Sequence, residues 1–493
     1  MKNRVAKLFF LLVLGMAKLP AGAQVKIYVH LDSTLKQNFS GRLFLFTQND
    51  TTKQVTDQQD FERPQAFFAK NIRNWSNGDA QLFGEGEEAI GIPLNGLQPG
   101  YYKAAALVDV NEEERAFNFS PGNAYSRKDV IFKVDSAGRG EAHIRINTLI
   151  EERPFLETEK IKLLKLKSSL LTDFHGKDVL MKAAVVLPEG YTSEDSAAYP
   201  VVFVVPGWGG THYDVLRGKF ASERYGFNQG KKKIYVYLNP ETQTRWGLHA
   251  FIDSRVNGPW GRALVEELIP HLQSAYRVSK SPRHYFVVGQ SSGGYAALWL
   301  QLNYPAAFNG CWAVSPDPID FSNFLGVNLY RDKNMFTKAN GDVRPLYIVK
   351  GKALSSILAF SRDEQFYGDG GQMQSFEAAF GNKGPDGRPI PMFDRHTGDI
   401  LPQVVKEWKA YDLGWYASQH WKKLKRSISG KIHVYAGKND NFLLNESVVE
   451  FWKKGALLEA DWKVDLIPAA DHWSIWSKDF TTKVQQEIDA RIQ

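Results

Sequence analysis

The chain has 493 residues, 43% hydrophobic and 23% charged, with 13 Trp and 20 Tyr. Such a composition excludes a disordered, collagenous or disulfide-scaffold protein, and the length suggests two or three domains. Of the formal charge of +7, four positive charges (Lys2, Arg4, Lys7 and Lys18) fall in the first 23 residues, which carry no acid; the remaining +3 forms no basic stripe, so no nucleic-acid partner is indicated.

Residues 1–23 read as an export signal. A basic start leads into the apolar run Leu8 to Ala17, and Ala21-Gly22-Ala23 offers a small-x-small cleavage site before Gln24. The apolar run is about half of the ~20 residues that span a bilayer. No later apolar stretch is long enough to cross one. The expected mature protein is periplasmic or secreted, with no stable membrane insertion. From 24 to 150, short β-branched and aromatic runs such as Val25 to Leu31 and Arg42 to Phe46 alternate with turn clusters. They predict a β-sandwich-like N-terminal domain with antiparallel strands and no chemistry-bearing constellation.

Residues 151–170 are charged and helix-compatible, and read as a linker. From 171 to 493 the pattern changes to strands alternating with helices. Val201 to Val205, Ile234 to Leu238 and Tyr285 to Val288 are continuous apolar runs, as in strands buried on both faces of a parallel sheet. The expected class is α/β. An insertion at about 325–429 is too long for a crossover and is expected to fold over the sheet edge as a lid. Cys311, the single cysteine, cannot make an internal disulfide and reads as a core side chain.

The strongest chemical motif is Gly289-Gln290-Ser291-Ser292-Gly293, placed after the strand Tyr285 to Val288 and opening a helical run. In a G-x-S-x-G turn only small residues fit on either side, and the serine projects from the tip. The glycine spacings of dinucleotide and phosphate loops are absent. A serine nucleophile needs a base. Of the histidines in the last 210 residues, His284 precedes the strand Tyr285 to Val288 and His433 sits inside a predicted strand; among these and His396, His420 and His472, only His472 directly follows the last strand, at the carboxyl edge where sites form. Asp440, in the loop after Ile432 to Tyr435, is the candidate acid that would fix the imidazole; Asp471 is the alternative, with awkward adjacency to His472. Candidate oxyanion donors are the backbone N–H groups of Ser292 and of Trp208, with Gly207 as the neighbouring option.

These segments, with Pro206-Gly207-Trp208-Gly209-Gly210 and Asn257-Gly258-Pro259-Trp260-Gly261, occur in the order seen in the esterase-D-like family of α/β-hydrolases. That family includes S-formylglutathione hydrolases, feruloyl and acetylxylan esterases, enterochelin esterases and mycolyltransferases. The resemblance covers roughly Leu170 to Gln493. It implies an α/β-hydrolase catalytic domain with the triad Ser291, Asp440 and His472. The chain departs from many members at Pro206, where they carry a histidine.

Trp246, Trp260 and Trp473 are candidate pocket residues that can line an aromatic acyl site, stack on a sugar or equally be core; Trp208 and Trp476 lie in or near the same loops. The short runs Lys231 to Lys233 and Lys422 to Arg426 read as solvated faces. No metal-ligand spacing appears, so no metal or other cofactor is expected. The expected function is an exported serine esterase acting on a small-molecule or carbohydrate-linked ester, a feruloyl or acetyl ester being one candidate. Acyl transfer to another hydroxyl, a non-catalytic carbohydrate-binding protein and a peptidase are the competing readings. The oligomeric state is not legible.

Overall fold

A computed structural model describes residues 24–56, 65–192 and 198–492. The expected export signal therefore lies outside the described residues. Among those described, no helix is long and apolar enough to cross a membrane. The chain divides into two compact units. One holds the N-terminal part up to Val110 together with Gly122–Ile150; the other holds Asn111–Pro121 and everything from Glu151 onward.

In the first unit Val25–Leu31 turns every second residue inward, and Val25, Ile27, Val29 and Leu31 are buried. It lies between Ala80–Phe83 and Gly140–Ile146 in a small sheet. The larger sheet is built around Phe39–Gln48 and Gly100–Asp109, which pair antiparallel. Ile27, Val29 and Ile144 of the small sheet share one apolar cluster with Leu43, Leu45, Phe68 and Ala106 of the large one. In one respect this differs from the expected antiparallel sandwich: Val25–Leu31 and Gly140–Ile146 run parallel. Strands so far apart in sequence are not joined by a hairpin, and a long connection leaves either direction open.

The second unit is built on a sheet of strands β1 (Ile161–Lys167), β2 (Leu180–Val186), β3 (Val201–Val205), β4 (Ile234–Leu238), β5 (Tyr285–Ser291), β6 (Cys311–Pro316), β7 (Ile432–Gly437) and β8 (Lys463–Ile467). Their order in space is β1-β2-β4-β3-β5-β6-β7-β8. The first two are antiparallel to their neighbours, and from β4 to β8 every pairing is parallel. Alternate residues face opposite cores: Val201, Phe203 and Val205 enter one apolar cluster, Val202 and Val204 the other. Helices cover both faces, which is why β3 to β7 read as unbroken apolar runs.

Three expectations need correction. The stretch taken as a helical linker is edge strand β1, with all seven residues paired to β2. From Leu164 to Lys167 burial alternates, with Leu164 and Leu166 turned inward and Lys165 and Lys167 exposed, and the lysines protect the edge by charge. Lys233, assigned to a solvated run, is only 2% exposed and pairs with Asp489. The insertion is not a flap over the edge. Its helices, labelled after α1 (Ser292–Asn303) as α2 (Ile357–Tyr367) and α3 (Gln372–Phe380), bury Ile357, Met373, Phe376 and Phe380 in the same cluster as Tyr295 and Leu298 of α1. Its last helix, α4 (Leu413–Ile428), is an ordinary crossover leading into β7. Cys311 is buried in β6, where burial pushes its thiol up to about 12.

Glu364 of α2 is buried beneath α3 and accepts the Met373 N–H at 2.7 Å, while its Oε2 has no hydrogen-bond partner among the described residues. Burial pushes this carboxyl up to about 7, against the pull of nearby Arg395. The folded protein therefore holds a proton that the unfolded chain releases near its ordinary 4.5. Linkage gives stability that falls as pH rises from about 4.5 to about 7 and then levels off. Glu364→Gln should remove this component, with Tm above wild type at about pH 8 and the two converging toward about pH 4.5. Thermal unfolding scans of both proteins across that range test it; parallel Tm curves would refute it.

Candidate active site

The nucleophile elbow is enforced by backbone contact. Ser291 ends β5 at φ 57°, ψ −124° and α1 begins at the next residue. A Cβ on Gly289 would lie 2.1 Å from the Gly293 carbonyl oxygen, and one on Gly293 would lie 1.9 Å from that of Val205. No side chain larger than hydrogen fits at either place. Such a strained serine costs of order 1–3 kcal/mol and persists only where its surroundings over-determine it.

The structure brings the two downstream candidates together. His472 Nδ1 lies 3.0 Å from Asp440 Oδ2, with both residues buried. Asp440 Oδ1 accepts the Phe442 N–H at 3.0 Å, which fixes the carboxylate from its own loop. Asn441 Oδ1 accepts the His472 N–H at 3.1 Å, and Asn441 Nδ2 donates to the Ile348 carbonyl at 2.8 Å. The rival acid Asp471 is occupied in a turn, accepting from the N–H groups of Trp473 and Ser474. Three of the other histidines are engaged elsewhere: His284 with Ser279, His420 with the Tyr416 carbonyl, His433 with the Cys311 carbonyl.

The elbow and the histidine loop are tied by Gln290. Its Nε2 donates to the His472 carbonyl at 2.6 Å, while its Oε1 accepts from Arg224 and from Trp476. No hydrogen bond joins Ser291 to His472, however. The Ser291 hydroxyl donates to Asp317 Oδ1 at 3.0 Å, and Ser292 Oγ donates to Asp317 Oδ2. Burial raises the Asp317 carboxyl, and the two serine hydroxyls and His472 pull it back. The sequence reading passed over Asp317. Its position, directly after β6 and beside the nucleophile strand at the carboxyl edge, was the signal available.

On the other side of Ser291 lies the loop after β3. A Cβ on Gly207 would sit 3.2 Å from the Gln290 carbonyl oxygen and 3.9 Å from Ser291 Oγ, so this backbone runs against the nucleophile. The N–H of Ser292, first residue of α1, is among those that a helix leaves without an intrahelical acceptor. Trp208 is 38% exposed. Above its ring, 4.3 Å from the centroid, stands the guanidinium of Arg115, whose Nε donates to Glu241 Oε2 at 2.9 Å. Arg115 comes from the Asn111–Pro121 segment, in a span expected to carry no chemistry.

The remaining tryptophans separate. Trp473 is 55% exposed, its ring 5.0 Å from that of His472, and its Nε1 donates to Tyr347. Trp246 lies under the Arg388 guanidinium. Trp260 is core and not a pocket wall: it is 2% exposed and stacks on His249 at 3.5 Å.

No curated protein matches the chain. Solved structures with a similar course include an S-formylglutathione hydrolase from Agrobacterium tumefaciens (16% identity, 68% of this chain and 95% of that one, TM-score 0.40). A ferulic acid esterase from Anaeromyces mucronatus is similar at 13% identity (69% and 94%, TM-score 0.34). MPT51 from Mycobacterium tuberculosis is similar at 14% (68% and 100%, TM-score 0.42). Residues 178–486 match the family described as "Putative esterase". With that match over more than half its length, and with the strand order above, the chain belongs to this esterase family and its second unit is an α/β-hydrolase domain.

Proposed function

We propose that the protein is an exported serine esterase that cleaves a carboxylic ester through an acyl-Ser291 intermediate. The observation that carries this reading is the buried His472–Asp440 bond at 3.0 Å, anchored by Gln290 to the elbow that holds Ser291. With Nδ1–H given to Asp440, a neutral imidazole presents Nε2 as a base. Ser291 leaves Asp317, passes its proton to His472 and attacks the ester carbonyl. The alcohol departs with that proton. Water, activated by the same histidine, then releases the acid. The N–H groups of Ser292 and Trp208 hold the oxyanion, and Arg115 positions the Trp208 loop through its ring.

Two exposed aromatic side chains near the site, Trp473 and Trp208 (whose ring carries Arg115 on one face), support an ester with an aromatic acyl group or a sugar to pack against them. A feruloyl or acetyl ester on a carbohydrate is the candidate.

Purified protein starting at Gln24 should hydrolyse short p-nitrophenyl esters, methyl ferulate or acetylated xylan. Ser291→Ala should lose several orders of magnitude in kcat, and Asp440→Asn about 10³–10⁴-fold with KM little changed. Equal inertness of wild type and Ser291→Ala on every ester would overturn the reading. The export part is tested separately. Protein recovered after expression from the full sequence should have the mass of a chain beginning at Gln24, and a mass retaining residues 1–23 would contradict it.

A further inference from the structure

Asp317 owes its place to an irregularity between β5 and β6. Gln290 pairs with Val314 but Ser291 pairs with Pro316, so Ser315 is skipped, at φ 37°. Such bulges re-aim a strand and recur next to active sites. Here the bulge brings the Asp317 N–H to the Ser291 carbonyl at 3.0 Å and turns its carboxylate onto the nucleophile. Asp317 is 2% exposed. Its Oδ2 is held by Ser292 Oγ and, at 3.5 Å, by Gln372 Nε2. Among the described residues, Oδ1 has a single donor, the Ser291 hydroxyl. Beside it lies an apolar cavity of about 10 Å³, room for roughly one water, walled by Tyr295, Phe376 and Phe380.

Acylation removes that donor; the argument here rests on the acyl-serine reading above and sets aside the feruloyl or acetyl candidate, since neither acyl group carries a donor on the carbon next to the carbonyl. When Ser291 Oγ bonds to the acyl carbon, the bond from that carbon to the alcohol oxygen breaks, and the Oγ proton leaves with the alcohol by way of His472. An ester oxygen carries no hydrogen. Asp317 Oδ1 then stays buried with no protein group donating to it, a state that costs part of the desolvation penalty of the group. We propose that the acyl group itself supplies the missing donor, and that Asp317 selects esters with a hydroxyl or ammonium group on the carbon next to the scissile carbonyl. A substituent there is three bonds from Oγ, within hydrogen-bond reach of an acceptor that sits 3.0 Å from Oγ.

The test compares kcat/KM for acetyl, methoxyacetyl, glycolyl and glycyl esters of one alcohol, in wild type and in Asp317→Asn. Methoxyacetyl keeps the electron withdrawal of the glycolyl oxygen without its hydrogen, so the glycolyl-to-methoxyacetyl ratio isolates the donor. Wild type should prefer glycolyl by about tenfold or more, and the preference should fall to within about threefold of unity in Asp317→Asn. The glycyl arm separates an ammonium requirement from a hydroxyl one. A wild-type ratio near one, or an equal ratio in the variant, overturns the proposal. Should Asp317→Asn fail to fold, Asp317→Ser takes its place and the wild-type ratio still decides. Acetyl ester cleavage that is lost in Ser291→Ala, with a flat ratio, sinks this inference and leaves the esterase reading intact. Absence of all cleavage sinks that reading itself.

Discussion

The site depends on one close approach of three backbones. The Gly293 backbone of α1 packs against the β3 carbonyl of Val205, and the Gly289 backbone of β5 packs against Gly293 in turn. Hydrogen bonds alone would leave the strand-to-helix turn adjustable. This contact leaves it no freedom, because the atoms meeting there are main-chain and cannot rotate away. From it follow the positive φ of Ser291, the start of α1 at Ser292 and the closeness of Gly207 to Ser291. A helix begun one residue later would point its first N–H elsewhere.

Around that rigid centre the other contributors are attached by polar links, each crossing between loops. Gln290 reaches from the elbow to the His472 carbonyl, Asn441 reaches from the acid loop to both the His472 N–H and the insertion at Ile348, and Asp317 reaches from β6 to both serines. The insertion is therefore part of the scaffold. It buries Phe376 and Phe380 against α1 and supplies the carbonyl on which Asn441 is anchored. Removing the insertion would unseat the acid loop as well as open the core.

What could be read from the residues followed physical locality. Gly289 to Gly293 is legible because the steric demand and the residues that meet it lie within five positions. Asp440 and His472 are legible because each follows an apolar strand whose end must fall at one edge of the sheet. The class of the second unit was plain from β3 to β7, where burial on both faces leaves the runs predominantly apolar. Other features lay beyond that reach. The role of β1 was hidden by its lysines, which suit an edge strand and an exposed helix alike. Trp260 sits in a glycine-rich segment that reads as a site loop, yet its ring is sandwiched in the core by His249, a contact set by tertiary packing. Asp317 needed the skipped residue at Ser315, which no local pattern announces. Lys233 needed Asp489, 256 residues away.

The segment Asn111–Pro121 departs from the chain's linear order. It is flanked on both sides by residues of the sheet-rich unit, yet it groups with the hydrolase and places Arg115 over Trp208. The catalytic unit is thus encoded discontinuously. Inheritance of the hydrolase as a module, by recombination at a single point after residue 150, would deliver every strand of its sheet and leave behind the cation that stands over Trp208. Exchange between relatives that preserves this contact requires two further crossovers inside the N-terminal half.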